Sequence, residues 1–209
     1  NNPVTVGQPI PGLQIRLGDM EELQVKGPTV MKGYWKRPDA TAEVFTEDGW
    51  FKTGDQADLS DAGRIRIKGR IKEIIVTSTG EKIPPTDMEL AIQTDPLFEQ
   101  VMVVGEARPF ITALAVVNEA EWEKFAKEFN VDPTDERMLM RRDIRMAALK
   151  RLKKAASRFP QYGIPRNIRL LKEHWTVDNG CLTVTMKLRR PIIREKLRAE
   201  IDELYTVPQ

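Results

Sequence analysis

Gly69-Arg70-Ile71-Lys72-Glu73-Ile74-Ile75-Val76 is the segment at which the pattern of the sequence changes. On its N-terminal side, short runs of alternating apolar and polar residues stand between Gly, Asp and Pro residues, which is typical of half-buried antiparallel strands. These runs cover residues 13–17, 23–26 and 64–68, and residues 38–43 favour one short helix. The sequence therefore predicts a short, β-rich, barrel-like unit over residues 1–71.

On the C-terminal side of this stretch, apolar runs alternate with segments of helical periodicity. Strands are predicted over residues 101–104, 111–117 and 168–171. Two prolines open an amphipathic stretch over residues 84–95, and helices are predicted over residues 119–129, 134–158 and 191–205. Strands and helices mixed in this order predict a compact α+β domain over residues 72–209.

The composition of the 209 residues is that of a globular protein, with 31% charged and 41% hydrophobic residues. No apolar run approaches the roughly 18 residues of a membrane span, and disordered and collagen-like classes are excluded. Cys181 is the single cysteine, so an internal disulfide is excluded and a reducing compartment, the cytoplasm, is favoured. The net charge of +2 gives no reason to expect nucleic acid as a partner. Asn1 is neither an initiator methionine nor the start of a signal peptide, so we expect a fragment.

A complete active site is not visible in the sequence by itself. The glycine spacings GxxxxGK and GxGxxG, whose backbone N–H groups surround phosphates, do not occur, and neither does the GxSxG turn of acyl transfer. His174 and the distant Cys181 do not make a metal site, so no metal ligands are predicted. We interpret His174 as an ordinary side chain and Cys181, which follows a turn signal, as a non-catalytic thiol.

Three separated segments carry more information together than any of them does alone. They are EELQVKGPTVMKGYW (residues 21–35) with DGWFKTGD (48–55), GRIKEIIV (69–76) with GEKIPP (80–85), and NGCLTVTMKLRR (179–190). In this order they resemble the C-terminal motifs of the AMP-forming acyl-CoA synthetases, members of the adenylate-forming superfamily. The resemblance implies that residues 1–71 are the tail of a large N-terminal adenylation domain and that residues 72–209 are a mobile C-terminal domain.

Within that superfamily, the segments look most like long-chain fatty acid–CoA ligases. The features that carry this likeness are residues 74–78 before Gly-Glu-Lys-Ile and residues 179–183 before the lysine of the last motif. Two positions depart from the family pattern, since Glu21 stands where glycine is usual and Val184 where proline is frequent. Neither departure removes a charged catalytic group.

Asp55 and Arg70 are the candidate nucleotide-binding residues. An ionised carboxylate accepts two hydrogen bonds from a vicinal diol, and such charge-assisted bonds are about twice as strong as neutral ones. The resemblance accordingly assigns Asp55 to the ribose hydroxyls of ATP and AMP. Arg70 offers a rigid, charged fork to ribose or phosphate oxygens. The simpler alternatives are a carboxylate that caps a turn and an arginine in a surface salt bridge.

The resemblance assigns roles to three further residues. Lys187 would be the catalytic residue of adenylation, a mobile ammonium that stabilises the negative charge accumulating when a carboxylate attacks the α-phosphate of ATP. Lys72 matches the hinge about which the C-terminal domain turns, and Gly80 would let the pantetheine arm of CoA pass close to the backbone. Taken without the family, they are a loop lysine, an exposed lysine and a turn glycine.

A basic helix face is predicted between residues 141 and 158. Its members are Arg141, Arg142, Arg145, Lys150, Arg151, Lys153, Lys154 and Arg158. Such a face would meet the phosphates of CoA or an anionic membrane surface, although charge runs of this kind are usually just solvated. Peripheral contact with a membrane is therefore among the predicted interactions.

The resemblance as a whole predicts the C-terminal fragment of a long-chain fatty acid–CoA ligase. The parent would convert ATP, fatty acid and CoA into acyl-CoA, AMP and pyrophosphate through acyl-AMP. ATP, CoA and Mg²⁺ are the predicted cofactors. The metal ligands, the phosphate-binding loop and the acyl pocket belong to the N-terminal domain that is missing here, so the fragment alone is predicted to be inactive. The alternatives are an adenylate-forming enzyme with a different acceptor, such as an acyl-AMP ligase, and a non-catalytic binding module.

Overall fold

Two units make up the structure, a computed structural model that describes residues 5–206. One unit ends at Ile74 and the other begins at Ile75, a little beyond the boundary after residue 71 that the sequence predicts. The outer ends of the two predicted domains, including Asn1 on which the fragment prediction rests, lie outside the described residues. No helix within residues 5–206 is long and apolar enough to cross a membrane.

The first unit is an antiparallel meander with one short helix. Its elements are β1 (Gln14–Leu17), β2 (Glu22–Lys26), α1 (Pro38–Val44), β3 (Phe51–Asp61) and β4 (Arg64–Arg70). The strands pair in the order β1-β2-β3-β4, and Gly7 forms an antiparallel bridge with Ile65 of β4. The buried core of this unit is small and consists of Leu23, Ala57 and Ile65. Strands β1, β2 and β4 and helix α1 lie where the alternation predicts them.

Strand β3, which carries Asp55, is not among the strands that the sequence predicts. In the structure, Asp55 lies inside a strand of 11 residues. Side chains of β3 do not alternate regularly between its two faces, because Gly54 adopts a positive φ of 72° and because the register with β4 shifts between Gln56 and Ala57. The glycine therefore distorts a strand and does not end it.

The second unit contains a two-stranded ladder and a three-stranded sheet. The ladder joins β5 (Ile75–Val76) and β6 (Lys82–Ile83). The sheet has the order β7 (Phe98–Val104), β8 (Thr112–Val117) and β9 (Ile168–Leu171), in which the first pair is antiparallel and the second parallel. The helices are α2 (Pro85–Ile92), α3 (Glu119–Glu128), α4 (Arg142–Ala155), α5 (Arg190–Lys196) and α6 (Arg198–Thr206).

Both faces of the central strand β8 are buried, each in a different hydrophobic cluster. Ala113 and Ala115 belong to a cluster that includes buried side chains of α2, α3 and α4. Leu114 and Val116 belong to a second cluster with buried side chains of α5 and α6. Because successive residues of a strand point to opposite faces, the sheet is the middle layer between two sets of helices. The α+β class that the sequence predicts is confirmed.

Two predicted helices differ from the structure in their extent. The helix predicted over residues 134–158 starts as a 3-10 turn over Glu136–Met140, and α4 begins only at Arg142. The helix predicted over residues 191–205 is divided at Leu197 into α5 and α6. No proline or glycine marks this division, and Ile193 and Ile201 remain in one buried cluster. Their regular spacing is therefore compatible with one helix or with two.

Candidate functional site

Asp55 and Arg70, the two candidate nucleotide-binding residues, lie side by side on neighbouring strands. They face each other in the register of β3 and β4, and Nε of Arg70 lies 2.9 Å from Oδ1 of Asp55. The Asp55 side chain is 27% exposed and that of Arg70 54% exposed. Arg70 thus forms a surface salt bridge, which is the simpler alternative named for it in the sequence analysis. Both side chains remain accessible to a ligand.

Backbone and side-chain hydrogen bonds fix the distorted part of β3 that carries Asp55. Thr53 Oγ1 donates to the carbonyl of Leu23 at 2.7 Å and accepts from the N–H of Asp55 at 3.1 Å. The N–H of Gly54 donates to Oε1 of Glu22 at 3.1 Å. Thr53 and Glu22 are supporting residues that the sequence analysis missed, and the Thr-Gly-Asp triplet was the available signal. Together they hold the Asp55 carboxylate beside Arg70.

Lys187 lies in a tight loop closed by a bridge between Leu182 and Leu188. The N–H of Thr183 donates to the carbonyl of Lys187 at 2.9 Å, and the N–H of Lys187 donates to Oγ1 of Thr183 at 3.1 Å. Met186 takes up the left-handed conformation, with φ of 61°, that the turn requires. The side chain of Lys187 is exposed. The loop therefore fixes the backbone of Lys187 and leaves its ammonium free to move.

Asn179 braces the base of this loop. Its Oδ1 accepts from the N–H groups of Thr176 at 3.0 Å and Cys181 at 3.2 Å. Lys196 Nζ donates to the Asn179 carbonyl at 2.5 Å. Cys181 is 3% exposed inside the second cluster, and His174 Nε2 lies 3.2 Å from Oε1 of Glu99. Cys181 is thus shielded from solvent, and His174 lies beside a carboxylate with 42% of its side chain exposed.

A buried ion pair that the sequence analysis missed follows the Lys187 loop. Arg190, the first residue of α5, donates from Nη1 and Nη2 to the two carboxylate oxygens of Glu89 at 2.6 and 2.7 Å. Oε1 of Glu89 also accepts from the N–H of Val103 at 2.8 Å. The exposed fractions of the side chains are 15% for Arg190 and 6% for Glu89. This pair ties the end of the Lys187 motif to α2 and β7.

A sequence signal for Glu89 did exist. It stands between Met88 and Ala91 on the buried side of α2, where a carboxylate is rare unless it is paired. A charged residue on the apolar face of a short helix therefore indicates a buried partner elsewhere in the chain.

Lys72 and Gly80 lie in turns on either side of β5. Lys72 is exposed in a 3-10 turn over Ile71–Glu73, next to the boundary between the units. Gly80 has φ of 84° and its N–H donates to the carbonyl of Thr77 at 3.0 Å. No heavy atom lies within 4 Å of where a Cβ would stand at Gly80. The positive φ explains the glycine, and the open space leaves its backbone approachable.

The predicted site residues are divided between the units. Asp55 and Arg70 form one group in the first unit, whereas Gly80 and Lys187 lie on separate loops of the second. Among residues 5–206, no group of three or more His, Cys, Asp and Glu side chains is arranged to hold a metal ion.

Comparisons with known proteins agree with these motifs. Residues 72–208 match the family model of the AMP-binding enzyme C-terminal domain. A long-chain-fatty-acid–CoA ligase of Mycobacterium tuberculosis is 38% identical over 96% of this chain and 34% of its own length. A long-chain-fatty-acid–[acyl-carrier-protein] ligase of Arabidopsis thaliana is 31% identical over 97% of this chain and 29% of its own length.

A solved structure shows the same fold. The adenylation domain of a carboxylate reductase from Mycobacterium chelonae superposes with a TM-score of 0.74 and 26% identity, over 96% of this chain and 32% of that one. The chain thus spans about a third of the length of the curated relatives it matches. The family match covers well over half of the 209 residues. The chain belongs to the adenylate-forming, AMP-binding enzymes and carries their C-terminal domain.

Proposed function

We propose that the chain is the C-terminal part of an AMP-forming long-chain fatty acid–CoA ligase and supplies residues to both half-reactions of the intact enzyme. The observation that carries this proposal is the Lys187 loop, in which the backbone is tied down while the ammonium stays exposed. The 38% identity with the mycobacterial ligase over nearly the whole chain supports the substrate class.

In the first half-reaction, a carboxylate oxygen of the fatty acid attacks the α-phosphorus of ATP. The bond from that phosphorus to the oxygen bridging to the β-phosphate breaks, and pyrophosphate leaves. Negative charge is greatest on the reacting oxygens in the transition state, so the ammonium of Lys187 stabilises that state more than the ground state. Asp55 accepts hydrogen bonds from the ribose hydroxyls, and Arg70, whose Nε lies 2.9 Å from its Oδ1, orients that carboxylate.

In the second half-reaction, the thiol of CoA attacks the carbonyl carbon of acyl-AMP, and AMP leaves with the electrons of the broken mixed-anhydride bond. We assign Lys72 as the hinge that lets the mobile C-terminal domain present a second face, since it is exposed at the boundary of the units. We assign Gly80 to the passage of the pantetheine arm, since open space adjoins its backbone.

Among the described residues, no group of three or more His, Cys, Asp and Glu side chains is arranged to hold Mg²⁺. The ligands of the metal are expected in the N-terminal domain that we propose as the partner of this chain. The single cysteine supports a cytoplasmic location for the enzyme. Peripheral contact with a membrane is part of the same proposal.

A second candidate function differs in the acceptor of the acyl group. The Arabidopsis relative, named as an acyl-carrier-protein ligase, is 31% identical over 97% of this chain. In this alternative, the thiol of a carrier protein replaces that of CoA, or the acyl-AMP is released as the product, and the adenylation step is unchanged.

The test uses the intact protein that contains this chain, with residues 1–209 alone as the parallel control. ATP- and acceptor-dependent products are measured for short, medium and long fatty acids. We expect a long-chain acyl-CoA thioester from the intact protein and none from the control. AMP release without a CoA thioester would transfer the proposal to the other acceptors. No ATP consumption would leave a non-catalytic binding module as the better description.

Lys187→Ala tests the assigned role within the intact enzyme. Loss of one contact made in the transition state lowers the rate by on the order of 10² to 10³, so adenylation should fall by at least that factor. Thioester formation from preformed acyl-AMP should be largely retained. Lys127→Ala, which removes an exposed lysine of α3, is the matched control and should leave both half-reactions unchanged. Equal loss of both half-reactions in Lys187→Ala would contradict the assignment.

A further inference from the structure

A groove of about 940 Å³ lies in the second unit beside α4 and the segment that leads into β9. Four cationic side chains line it, namely Arg142, Arg145, Lys153 and Arg166, and no acidic side chain among residues 5–206 does. The net charge of the whole chain is only +2. Positive charge is therefore concentrated locally in a chain that is nearly neutral overall.

Three basic residues in or next to α4 are paired with acidic partners, whereas Lys150 and Lys154 are exposed and lie outside the groove. Arg141 pairs with Asp143 at 2.5 Å and Arg151 with Asp95 at 2.6 Å. Arg158 of the following turn pairs with Asp87 at 2.7 Å. The structure describes no ion pair for the four groove cations. The basic face predicted from the sequence thus divides into a paired part, two exposed lysines outside the groove, and the groove cations Arg142, Arg145 and Lys153.

Arg145 is the most desolvated of the groove cations. Its Nη2 donates to Oδ1 of Asn167 at 2.8 Å, while its buried Nε has no hydrogen-bond partner among the described residues. Burial, and then the nearby charge of Arg169, lower the pKa of the Arg145 guanidinium, and only Glu203 opposes them. Burying a cation without a counter-charge is unfavourable. An anion in the groove would relieve that cost.

The floor of the groove is apolar. Met146 and Tyr162 are 58% and 48% exposed, and the buried side chains of Leu149 and Ile164 line the groove as well. A large exposed methionine beside a half-exposed tyrosine is favourable for an apolar ligand. Cations around such a floor match a ligand that is anionic at one end and apolar along its length.

We propose that this groove binds an anionic amphiphile, with a phosphate-bearing head on Arg142, Arg145 and Arg166 and an apolar chain along Met146 and Tyr162. Guanidinium groups bind phosphate oxygens in a bidentate manner, which gives them the advantage over point charges at such a head. The site is separate from the residues assigned to ribose and to adenylation. Failure of lipid binding at this groove would therefore leave the proposed adenylation and thioester steps unaffected.

The test measures binding of 1-oleoyl lysophosphatidic acid, below its micelle concentration, to residues 1–209 by calorimetry. We expect lysophosphatidylcholine with the same chain, whose head is zwitterionic, to bind at least tenfold more weakly, and affinity for the anionic lipid to fall as salt rises. Arg142→Gln with Lys153→Gln should weaken binding at least tenfold. The charge-matched control, Lys127→Gln with Lys150→Gln, removes two exposed lysines outside the groove and should not weaken it.

Two further experiments test the contribution of the apolar residues of the groove and the source of the ligand. Met146→Ser with Tyr162→Ser, checked for an unchanged thermal unfolding curve, should weaken the lipid at least tenfold and leave the affinity for inorganic phosphate unchanged. Flotation with phosphatidylcholine vesicles that contain or lack phosphatidylglycerol then shows whether the groove takes the head from a bilayer or only from solution. Equal binding of the two lysolipids, or equal loss in the groove variant and its control, would overturn the proposal.

Discussion

Asp55 illustrates how a single residue gains a role from its local geometry. Its carboxylate is oriented by Arg70 across the strand pair and by the distortion at Gly54, and it stays 27% exposed. We expect Asp55→Asn in the intact enzyme to weaken ATP binding by about 10- to 100-fold, because hydrogen bonds to charged groups contribute about 1.5–3 kcal/mol each.

Asp58→Asn is the matched control for this change. Asp58 lies on the same strand, and its pKa is lowered by hydrogen bonds from the backbone N–H and the hydroxyl of Ser60. Its replacement should disturb only that local turn and leave nucleotide affinity within about twofold. Fluorescent ATP titration measures both variants, and equal affinities for Asp55→Asn and Asp58→Asn would remove Asp55 from the site.

The same residues show what the sequence reveals of the site. Lys187 and its exposed loop follow from the motif and from small polar residues around it, and Asp55 and Arg70 follow from their motifs. The contact between Asp55 and Arg70 does not follow from the sequence. It depends on strand β3, in which the positive φ of Gly54 interrupts the regular alternation of side chains. Contacts distant in sequence, such as Arg190 with Glu89, have no local signal at the arginine.

At the scale of elements, the Glu89–Arg190 pair joins α2, β7 and α5. Removing one partner of a buried ion pair leaves the other charge unpaired and costs about 3–5 kcal/mol. We therefore expect Glu89→Ala to lower the free energy of unfolding by about that amount, and Glu123→Ala, on the exposed face of α3, to change it by less than about 0.5 kcal/mol. Urea unfolding followed by circular dichroism measures both, and a Glu89→Ala variant as stable as the control would show that the pair is not structural.

The ion pair between Asp95 and Arg151 makes the stability of the fold depend on pH. Burial raises the pKa of Asp95, but hydrogen bonds from Arg151 and from the Leu97 N–H outweigh it, so the net pKa lies below 3.8. A carboxyl whose pKa is lower in the folded state stabilises the fold above its unfolded pKa and loses that contribution as pH falls through the folded one. The melting temperature should therefore decrease as the pH is lowered below about 4.

Asp95→Asn should remove part of this acid sensitivity. Its melting temperature should be lower than that of the unmodified chain near pH 7 and should change less between pH 5 and pH 2. Asp178→Asn, a change at an exposed position, should keep the steep dependence. Parallel curves for Asp95→Asn and the unmodified chain would show that other carboxyls control acid unfolding.

Elements with continuous apolar runs or strict alternation were predictable, since burial on one or both faces determines them. Strand β8 is buried at every residue, and its sequence has no polar interruption after Thr112. The division of the last helix at Leu197 was not predictable, because both halves use the same apolar spacing to reach one cluster. Local sequence specifies which face is buried, and packing specifies where a helix bends or stops.

At the scale of the whole molecule, the two units differ in the size of their cores. The first unit buries only Leu23, Ala57 and Ile65 as a cluster, whereas the second buries two clusters, one on each face of its sheet. Small units bury a smaller fraction of their surface and are only marginally stable. We expect residues 75–209, produced alone, to unfold cooperatively and to give dispersed amide signals in NMR spectra, because both clusters lie inside that range.

Residues 1–74 produced alone should give poorly dispersed spectra and no sharp thermal transition, since the buried cluster of the described part of this unit consists of only Leu23, Ala57 and Ile65. The 209-residue chain is the reference for both pieces. A folded first piece beside an unfolded second would contradict this account, because the order of stability would then be opposite to the order of core size. Two folded pieces would show instead that the long β3–β4 pairing stabilises the first unit by itself.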